Sequence, residues 1–533
     1  MAAAGGFDYD WLIVGSGFGG SVSALRLTEK GYRVAVIERG RRYRDEDYAA
    51  SAWNLRRYLW IPSIGLRGIL RLRPYKNILI GSGSAVGGGS AVYACTLYRA
   101  KPAFFENPQW TGLDDWATVL APHYDTAERM LGVATVPHES DGQALLREMG
   151  EHFGAGDTFT HTPVGIFFGE SGKSVPDPYF GGSGPARTGC TRCGACMVGC
   201  RAGAKNTLVK NYLWFAEKNG AKVMPDREVL DIQPLGAEDG SDGYRVFTAI
   251  PGAWFRKSRR TFTARGVVVA AGALGTNELL ARCKHGGGLP RISDRLGQLV
   301  RTNSESILAV TLPDDTLNVW NDVAISASIH PRPDTHIEFV TYGRGGDFMS
   351  MLFTLLTGRG TRVTRPLILL ANIIRHPLRA AKLEWPFGWS RRSLVLLVMQ
   401  TLDNAIVFRA RRRWFGRGIG ITTDQDQEKP NPTFSDVGNE AAEWLAARTG
   451  GIAQSIAIEA IANIPSTAHI LGGAVIGRDA ASGVIDRHSR VFGYENLLVC
   501  DGAAMPANPG VNPALTITAL AEHAMSGVAA AGR

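Results

Sequence analysis

A glycine turn close to the start of the chain is the first pattern with chemical meaning. Trp11-Leu12-Ile13-Val14 reads as a strand and runs into Gly15-Ser16-Gly17-Phe18-Gly19-Gly20; a helical stretch over 21–30 follows, and a second strand over 32–37 ends on Glu38. In such a unit the first glycine permits the tight turn, the second lets backbone approach a pyrophosphate, and the third lets helix pack on strand. Those positions are Gly15, Gly17 and Gly20, with Phe18 and Gly19 completing the turn. The free N–H groups at the helix start favour phosphate oxygens. Glu38 stands where a carboxylate accepts from ribose hydroxyls, so the unit predicts an ADP-containing dinucleotide.

A second pattern is Cys190-x2-Cys193-x2-Cys196-x3-Cys200. Thiolates at these offsets can wrap an iron–sulfur cluster, as in bacterial ferredoxins. Arg201 stands where that run has proline, and no second set follows, so Cys95, Cys283 or Cys500 enters as an alternative fourth ligand. A zinc site and a loop of reduced thiols are the competing readings. An iron–sulfur cluster would pass electrons singly to a carrier.

The elements that must position these groups are spread along the chain. A second glycine cluster runs from Gly81 to Ser90, and 117–132 reads as an amphipathic helix. The loop 170–188, rich in Gly, Pro and Ser, feeds the cysteines; a buried-type strand over 265–271 enters Gly272-Ala273-Leu274-Gly275, with a helix from Asn277. Residues 306–345 alternate apolar and polar, as antiparallel strands do. After 466 the glycines return, with a strand over 496–500 and a helix from Pro513. Cofactor-type pieces therefore occupy the start, middle and end of the chain and are missing between 306 and 461. This predicts an α/β fold: a Rossmann-like dinucleotide domain assembled from 1–305, with its cysteine region 170–205, and 462–533. An α+β, antiparallel-sheet substrate domain over 306–461 is inserted into it. The 533 residues, 45% hydrophobic and 20% charged, suffice for such a core. The first residues carry neither a basic n-region nor an apolar h-region, and no apolar run is long enough to span a bilayer. A cytoplasmic protein with reduced cysteines is expected.

The C-terminal text is Thr467-Ala468-His469-Ile470-Leu471-Gly472-Gly473, then Cys500-Asp501-Gly502-Ala503, then Gly510-Val511-Asn512-Pro513. With these motifs the chain resembles the glucose–methanol–choline (GMC) oxidoreductases over nearly its whole length outside 340–460. Within that family it is most similar to the cholesterol-oxidase-like branch. The resemblance implies that the dinucleotide is FAD. It implies that His469 and Asn512 face the flavin ring and act on a substrate hydroxyl. It places Asp501, with Gly502 and Pro513, beside the cofactor, Gly87, Gly88, Gly89 and Ser90 along flavin and pyrophosphate, and the backbone of Val229 against adenine. There are two departures: Ala91-Val92-Tyr93-Ala94 stands where relatives have Asn-Gly, and the glutamate that the substrate domain of cholesterol oxidases supplies has two counterparts here, Glu305 and Glu338.

Oxidising an alcohol needs a hydride acceptor, which flavin N5 supplies, and a base for the hydroxyl proton. A neutral histidine suits that task near neutral pH. Asn512 can hold the hydroxyl or polarise the flavin edge, while also capping the helix that follows. The expected activity is FAD-dependent oxidation of a hydrophobic alcohol, sterol-like or another lipid alcohol, with oxygen or an electron carrier as acceptor. The alternatives are an electron-transfer flavoprotein or iron–sulfur dehydrogenase acting on another alcohol such as a sugar, and a nicotinamide-dependent dehydrogenase.

One segment is left over. Between 344 and 417 fourteen Arg and Lys face three acidic residues, interleaved with Leu367, Leu370, Trp385, Phe387, Trp389 and the run 394–398. Residues 53–73 have the same character. Apolar side chains that enter lipid beside Arg that meets anionic headgroups predict peripheral membrane contact. The net charge of +9 comes with no nucleic-acid-binding fold, so no nucleic-acid partner is expected.

Overall fold

The computed structural model describes residues 6–253, 258–412 and 418–532; residues 1–5, and Arg413 and Arg417 of the basic segment, lie outside these ranges. Trp11, Leu12, Ile13 and Val14 are all buried, as are Val34 to Ile37, which is what a parallel strand covered on both faces requires. Strand Tyr9–Val14 lies between Val34–Ile37 and Arg260–Val269, parallel to both, and Lys222–Met224 extends the sheet beyond Val34–Ile37. Strand Arg260–Val269 is shared. Its last residues pair in parallel with Leu497–Val499, while its first pair antiparallel with Tyr244–Ala249, which carries Glu228–Pro234. The far C-terminus is thereby brought into the sheet that the N-terminus starts.

Two glycines of the turn show why the helix Phe18–Glu29 can lie where it does. Gly15 has φ +98°, and a Cβ there would stand 2.2 Å from the Ala270 carbonyl oxygen. A Cβ on Gly19 would stand 1.5 Å from the Cys500 carbonyl oxygen, so the helix rests directly on the C-terminal strand's end. The final helix, Ala514–Ser526, packs on Phe18–Glu29 and on Trp116–Leu131. Glu522 ties this layer, accepting from Arg26 at 2.6 Å and from the Tyr212 hydroxyl at 2.7 Å.

The second sheet has seven strands, all antiparallel, in the order Phe353–Leu355, Ile452–Ile456, Ser306–Thr311, Ser393–Gln400, Thr335–Val340, Ile325–Arg332, Thr160–His161. One of its strands, Thr160–His161, comes from outside 306–461. Period-two alternation divides its side chains. Leu308, Val310, Leu394, Leu396, Val398, Ile337 and Phe339 pack outward with helices Asp141–His152 and Asp436–Thr449. Ile307, Ala309, Val395, Leu397, Met399 and Val340 pack inward in a separate core. The polar residues His336 and Glu338 share the inward parity of Val340.

The basic segment divides. Its apolar run 394–398 is not interfacial; Ser393–Gln400 is a central strand buried on both faces, and Trp389 is buried beside it. Arg365 is also interior, where it donates to the Thr433 carbonyl and the Asn463 side chain. Helices Thr364–Arg375 and Pro377–Leu383 remain outside, with Leu367, Leu370, Ile374, Leu378, Trp385 and Phe387 exposed.

Gly19→Ala should lower stability by about 1–3 kcal/mol through overpacking against the Cys500 carbonyl. Gly17→Ala, whose Cβ would meet only Gly88 Cα at 3.9 Å, should unfold in urea like the parent. Equal midpoints for the two variants would contradict this packing.

Candidate active site

The glycine turn, the C-terminal motifs and the inner face of the second sheet border one cavity of about 420 Å3. At one end its walls are Gly15, Gly17, Gly19, Glu38, Arg39 and Val229. Further along come Gly88, Gly89, Gly272, Asp501 and Gly502, and then His469, Asn512 and Pro513. The other end is apolar, formed by Tyr58, Ile307, Ile325, Val340, Leu352, Val395, Leu397 and Ile456.

Most residues expected from the sequence therefore meet here. Phe18 lines the cavity too, whereas Gly20, Gly87 and Ser90 stand behind its wall. Ser90 Oγ donates to the Gly87 carbonyl at 2.7 Å and accepts from Leu208 N at 3.1 Å, which fixes the turn that presents Gly88 and Gly89. The Glu38 carboxylate is aimed by Ser16 N–H (3.0 Å), Ser16 Oγ (2.7 Å) and Gly40 N–H (2.7 Å). Asp501 accepts from Gly272 N (2.8 Å), Thr276 Oγ1 (2.5 Å) and Ala503 N (2.8 Å). Burial raises its carboxyl to about 6, against the pull of those three donors.

The walls suit a dinucleotide with an anionic middle. The first residues of three helices, Phe18–Glu29, Gly272–Gly286 and Ala514–Ser526, border the cavity, each with backbone N–H groups that lack an intrahelical partner and a positive dipole end. A Cβ at Gly272 would meet nothing within 4 Å, so the backbone there is open to a ligand.

His469 and Asn512 owe their positions to the stretch between the two sheets. Arg301 and Leu471 exchange backbone hydrogen bonds at 2.8 and 2.9 Å, and the Thr467 hydroxyl donates to the Thr302 carbonyl at 3.0 Å. The Asn303 side chain donates to the Val511 carbonyl and accepts from Gly510 N, both at 3.0 Å. Asn303 and Ser304 hold φ of +57° and +47°, strained for residues with a Cβ. Two buried glutamates complete the arrangement. Glu305 accepts from Ala468 N at 2.7 Å and contacts His469 Nδ1. Glu338 accepts from Asn512 Nδ2 at 3.2 Å. Burial pushes Glu338 up to about 8; the nearby Glu305 charge adds to this and the Asn512 N–H opposes it. Sequence motifs alone do not select these two carboxylates. The available signal is parity, since Glu338 shares the inward face of its strand with Val340 and His336.

The cysteines do not assemble as ligands. Among the described residues no group of three or more His, Cys, Asp or Glu is placed to hold a metal. Cys196 is buried, Cys190 and Cys200 are partly buried and Cys193 points to solvent. The iron–sulfur expectation is set aside on this ground. The segment braces the cavity instead: buried Lys205 donates to the carbonyls of Ala91 (3.1 Å), Tyr93 (2.8 Å) and Cys196 (2.9 Å), and Met197 lines the wall.

Comparison with known proteins agrees with this geometry. Family models described as GMC oxidoreductase match residues 186–295 and 412–521, and one described as an NAD(P)-binding Rossmann-like domain matches 13–43. The chain is 50% identical to a cholesterol oxidase of Mycobacterium tuberculosis, covering 97% of this chain and 91% of that one. It is 46% identical to a cholesterol oxidase of Acinetobacter baumannii, covering 98% and 94%. A solved fungal aryl-alcohol oxidase shares the fold with TM-score 0.60 at 14% identity, covering 98% of each chain. The chain belongs to the GMC oxidoreductase family and is an FAD-dependent oxidoreductase acting on CH–OH donors.

Proposed function

We propose that the enzyme oxidises a sterol-like or other lipid alcohol, with His469 as the base and Asn512 as the holder of the hydroxyl. The observation that carries this is the pairing of His469 with Glu305 and of Asn512 with Glu338 at one place in the cavity wall. The FAD that the glycine wall, Glu38, Val229 and Asp501 would hold supplies the hydride acceptor. A carboxylate at His469 Nδ1 favours the tautomer with a proton on that nitrogen. Nε2 is then left as the acceptor for the hydroxyl proton, and the carboxylate stabilises the imidazolium that forms. The Asn512 Oδ1 atom is buried without a partner in the protein, so the amide keeps an acceptor free for a donor on a bound ligand. The apolar end of the cavity favours a large hydrophobic alcohol over a sugar, in keeping with the names of the two relatives.

The exposed helices near 364–383 support delivery from a membrane. Leu378 is 79% exposed and Ile374 69%, beside exposed Arg375, Arg379 and Lys382. This surface connects to the cavity. Met349 and Leu352, in the turn Asp347–Leu352, line the cavity, and Phe348 of the same turn packs edge-on to Trp53, which stacks on Phe387. Anionic headgroups are the occupant that matches the basic charge. Among the described residues no helix is long and apolar enough to cross a membrane, so contact would be at the surface.

His469→Ala should keep the yellow flavin spectrum and lose about 10²–10⁴-fold in alcohol turnover. Glu305→Gln should lose part of that, and a parent-like rate in His469→Ala would remove the histidine from the chemistry. The protein should sediment with phosphatidylserine-containing vesicles at low salt and less so with phosphatidylcholine alone. Arg375→Glu with Arg379→Glu should weaken this binding while turnover of a detergent-dispersed alcohol holds. Sedimentation that ignores anionic lipid would end the membrane reading.

A further inference from the structure

A line of titratable groups runs from Glu338 away from the active site, and beyond Glu338 the alcohol chemistry above does not use it. Glu338 and His336 are both fully buried and two residues apart on the inward face of strand Thr335–Val340. Glu338 Oε1 has no hydrogen-bond partner, and the His336 ring has only the Gly510 backbone beside it. Burying polar groups with so few partners is costly, and two such groups side by side call for a function that keeps them. The gap between Glu338 Oε1 and His336 Nε2 is 4.0 Å, slightly too long for a hydrogen bond. Beyond His336 the ring of His330, on the neighbouring strand Ile325–Arg332, lies 4.5 Å away between centroids. His330 Nδ1 is 3.2 Å from Lys101 Nζ, and both of these residues are only partly buried, so the line reaches the surface.

We infer that Glu338, His336, His330 and Lys101 form a proton path that connects the active site with solvent independently of the substrate entrance. The inference rests on the proposed alcohol-oxidation site. When the alcohol is oxidised, the C–H electron pair leaves as hydride to the bound cofactor. The O–H bond breaks and its electron pair forms the carbonyl. The released proton, taken first by His469, must leave the site before the next turnover. Glu305 contacts His469, and Glu338, bonded to Asn512 and near enough to Glu305 for their charges to interact, is the carboxylate that faces an outward chain. When a two-electron acceptor, such as dioxygen, is reduced to its protonated product, a proton returns by the same route and the cycle balances. The groups facing the path fit this use. Tyr98 packs edge-on to His336, centroids 5.1 Å apart, with its hydroxyl turned to Ser328. Glu305 adds negative charge beside Glu338, and Asp334 does so beside Lys101. Burial and the Lys101 charge keep His336 and His330 neutral at working pH, His330 down at about 4. A neutral imidazole can accept on one nitrogen and donate from the other.

The test uses His336→Leu, His330→Leu and Lys101→Met holoenzymes in stopped-flow reduction by a lipid alcohol. Flavin absorbance and thermal midpoint establish that each is folded and loaded. In the parent, C–H cleavage should limit the rate and give a substrate deuterium isotope effect. In the variants the rate should fall at least about tenfold, the substrate isotope effect should shrink, and a solvent deuterium effect should appear. Imidazole in the buffer should restore part of the rate to His330→Leu. Because Glu338 must be ionised to accept a proton, reduction in the parent should speed up as pH rises through about 8, and Glu338→Gln should lack that inflection. Lys101→Met and His330→Leu, at partly buried positions, keep the test decisive if His336→Leu does not fold. Folded variants with parent-like rates, isotope effects and pH profile would overturn the path. Loss of all alcohol-dependent reduction in the parent would instead overturn the reading of the site on which it rests.

Discussion

The stretch from Arg301 to Glu305 is the constraint on which the active site depends. It is the last piece of chain before the second sheet, and it hydrogen-bonds to both C-terminal segments that carry functional groups. Its backbone holds Leu471, its Asn303 side chain holds Gly510 and Val511, and its Glu305 carboxylate meets His469. Strained φ at two consecutive residues is tolerated because these bonds over-determine the conformation. A proper strand or helix at the same place could not turn its carboxylate and its amide toward two different loops.

A second consequence follows from how the sheets are covered. The antiparallel sheet has helices outside and the cavity inside, so period-two alternation sorts its side chains into two separate cores. Residues of inward parity line the apolar end of the cavity, and on one strand that parity is occupied by His336 and Glu338. Taking a carboxylate out of water without a cation beside it favours its neutral form, hence the upward shift of Glu338. Glu338 can therefore exchange a proton near physiological pH, which an exposed glutamate does not do. The Asn512 amide hydrogen bond limits the shift and keeps the group in place.

The cysteine segment shows how spacing can mislead. Four thiols at ferredoxin offsets lie on a loop whose backbone carbonyl at Cys196, with those of Ala91 and Tyr93, receives the buried Lys205 ammonium. That bond set braces the turn behind Gly88 and Gly89, and Cys193 is left in solvent. Ligand spacing in sequence says nothing about where thiols point once a loop is pinned by another group. The run 394–398 misled for a related reason: a continuous apolar stretch fits an interfacial segment and a strand buried on both faces equally well.

The glycine turn, Glu38 and the ordered C-terminal motifs were legible in the sequence, because backbone approach to a pyrophosphate restricts residue type at each position. The inserted antiparallel strands were legible through alternation. Glu305 and Glu338 were visible only as two candidates, and the line from His336 to Lys101 had no local signature. These groups act through partners that are distant in the chain: Glu305 lies 164 residues before His469, and Glu338 lies 174 before Asn512. Local sequence determines conformations that each segment adopts for its own steric reasons. Which carboxylate meets His469 and which meets Asn512 was decided only when the shared strand Arg260–Val269 and the Arg301–Glu305 stretch joined the ends of the chain around one cavity.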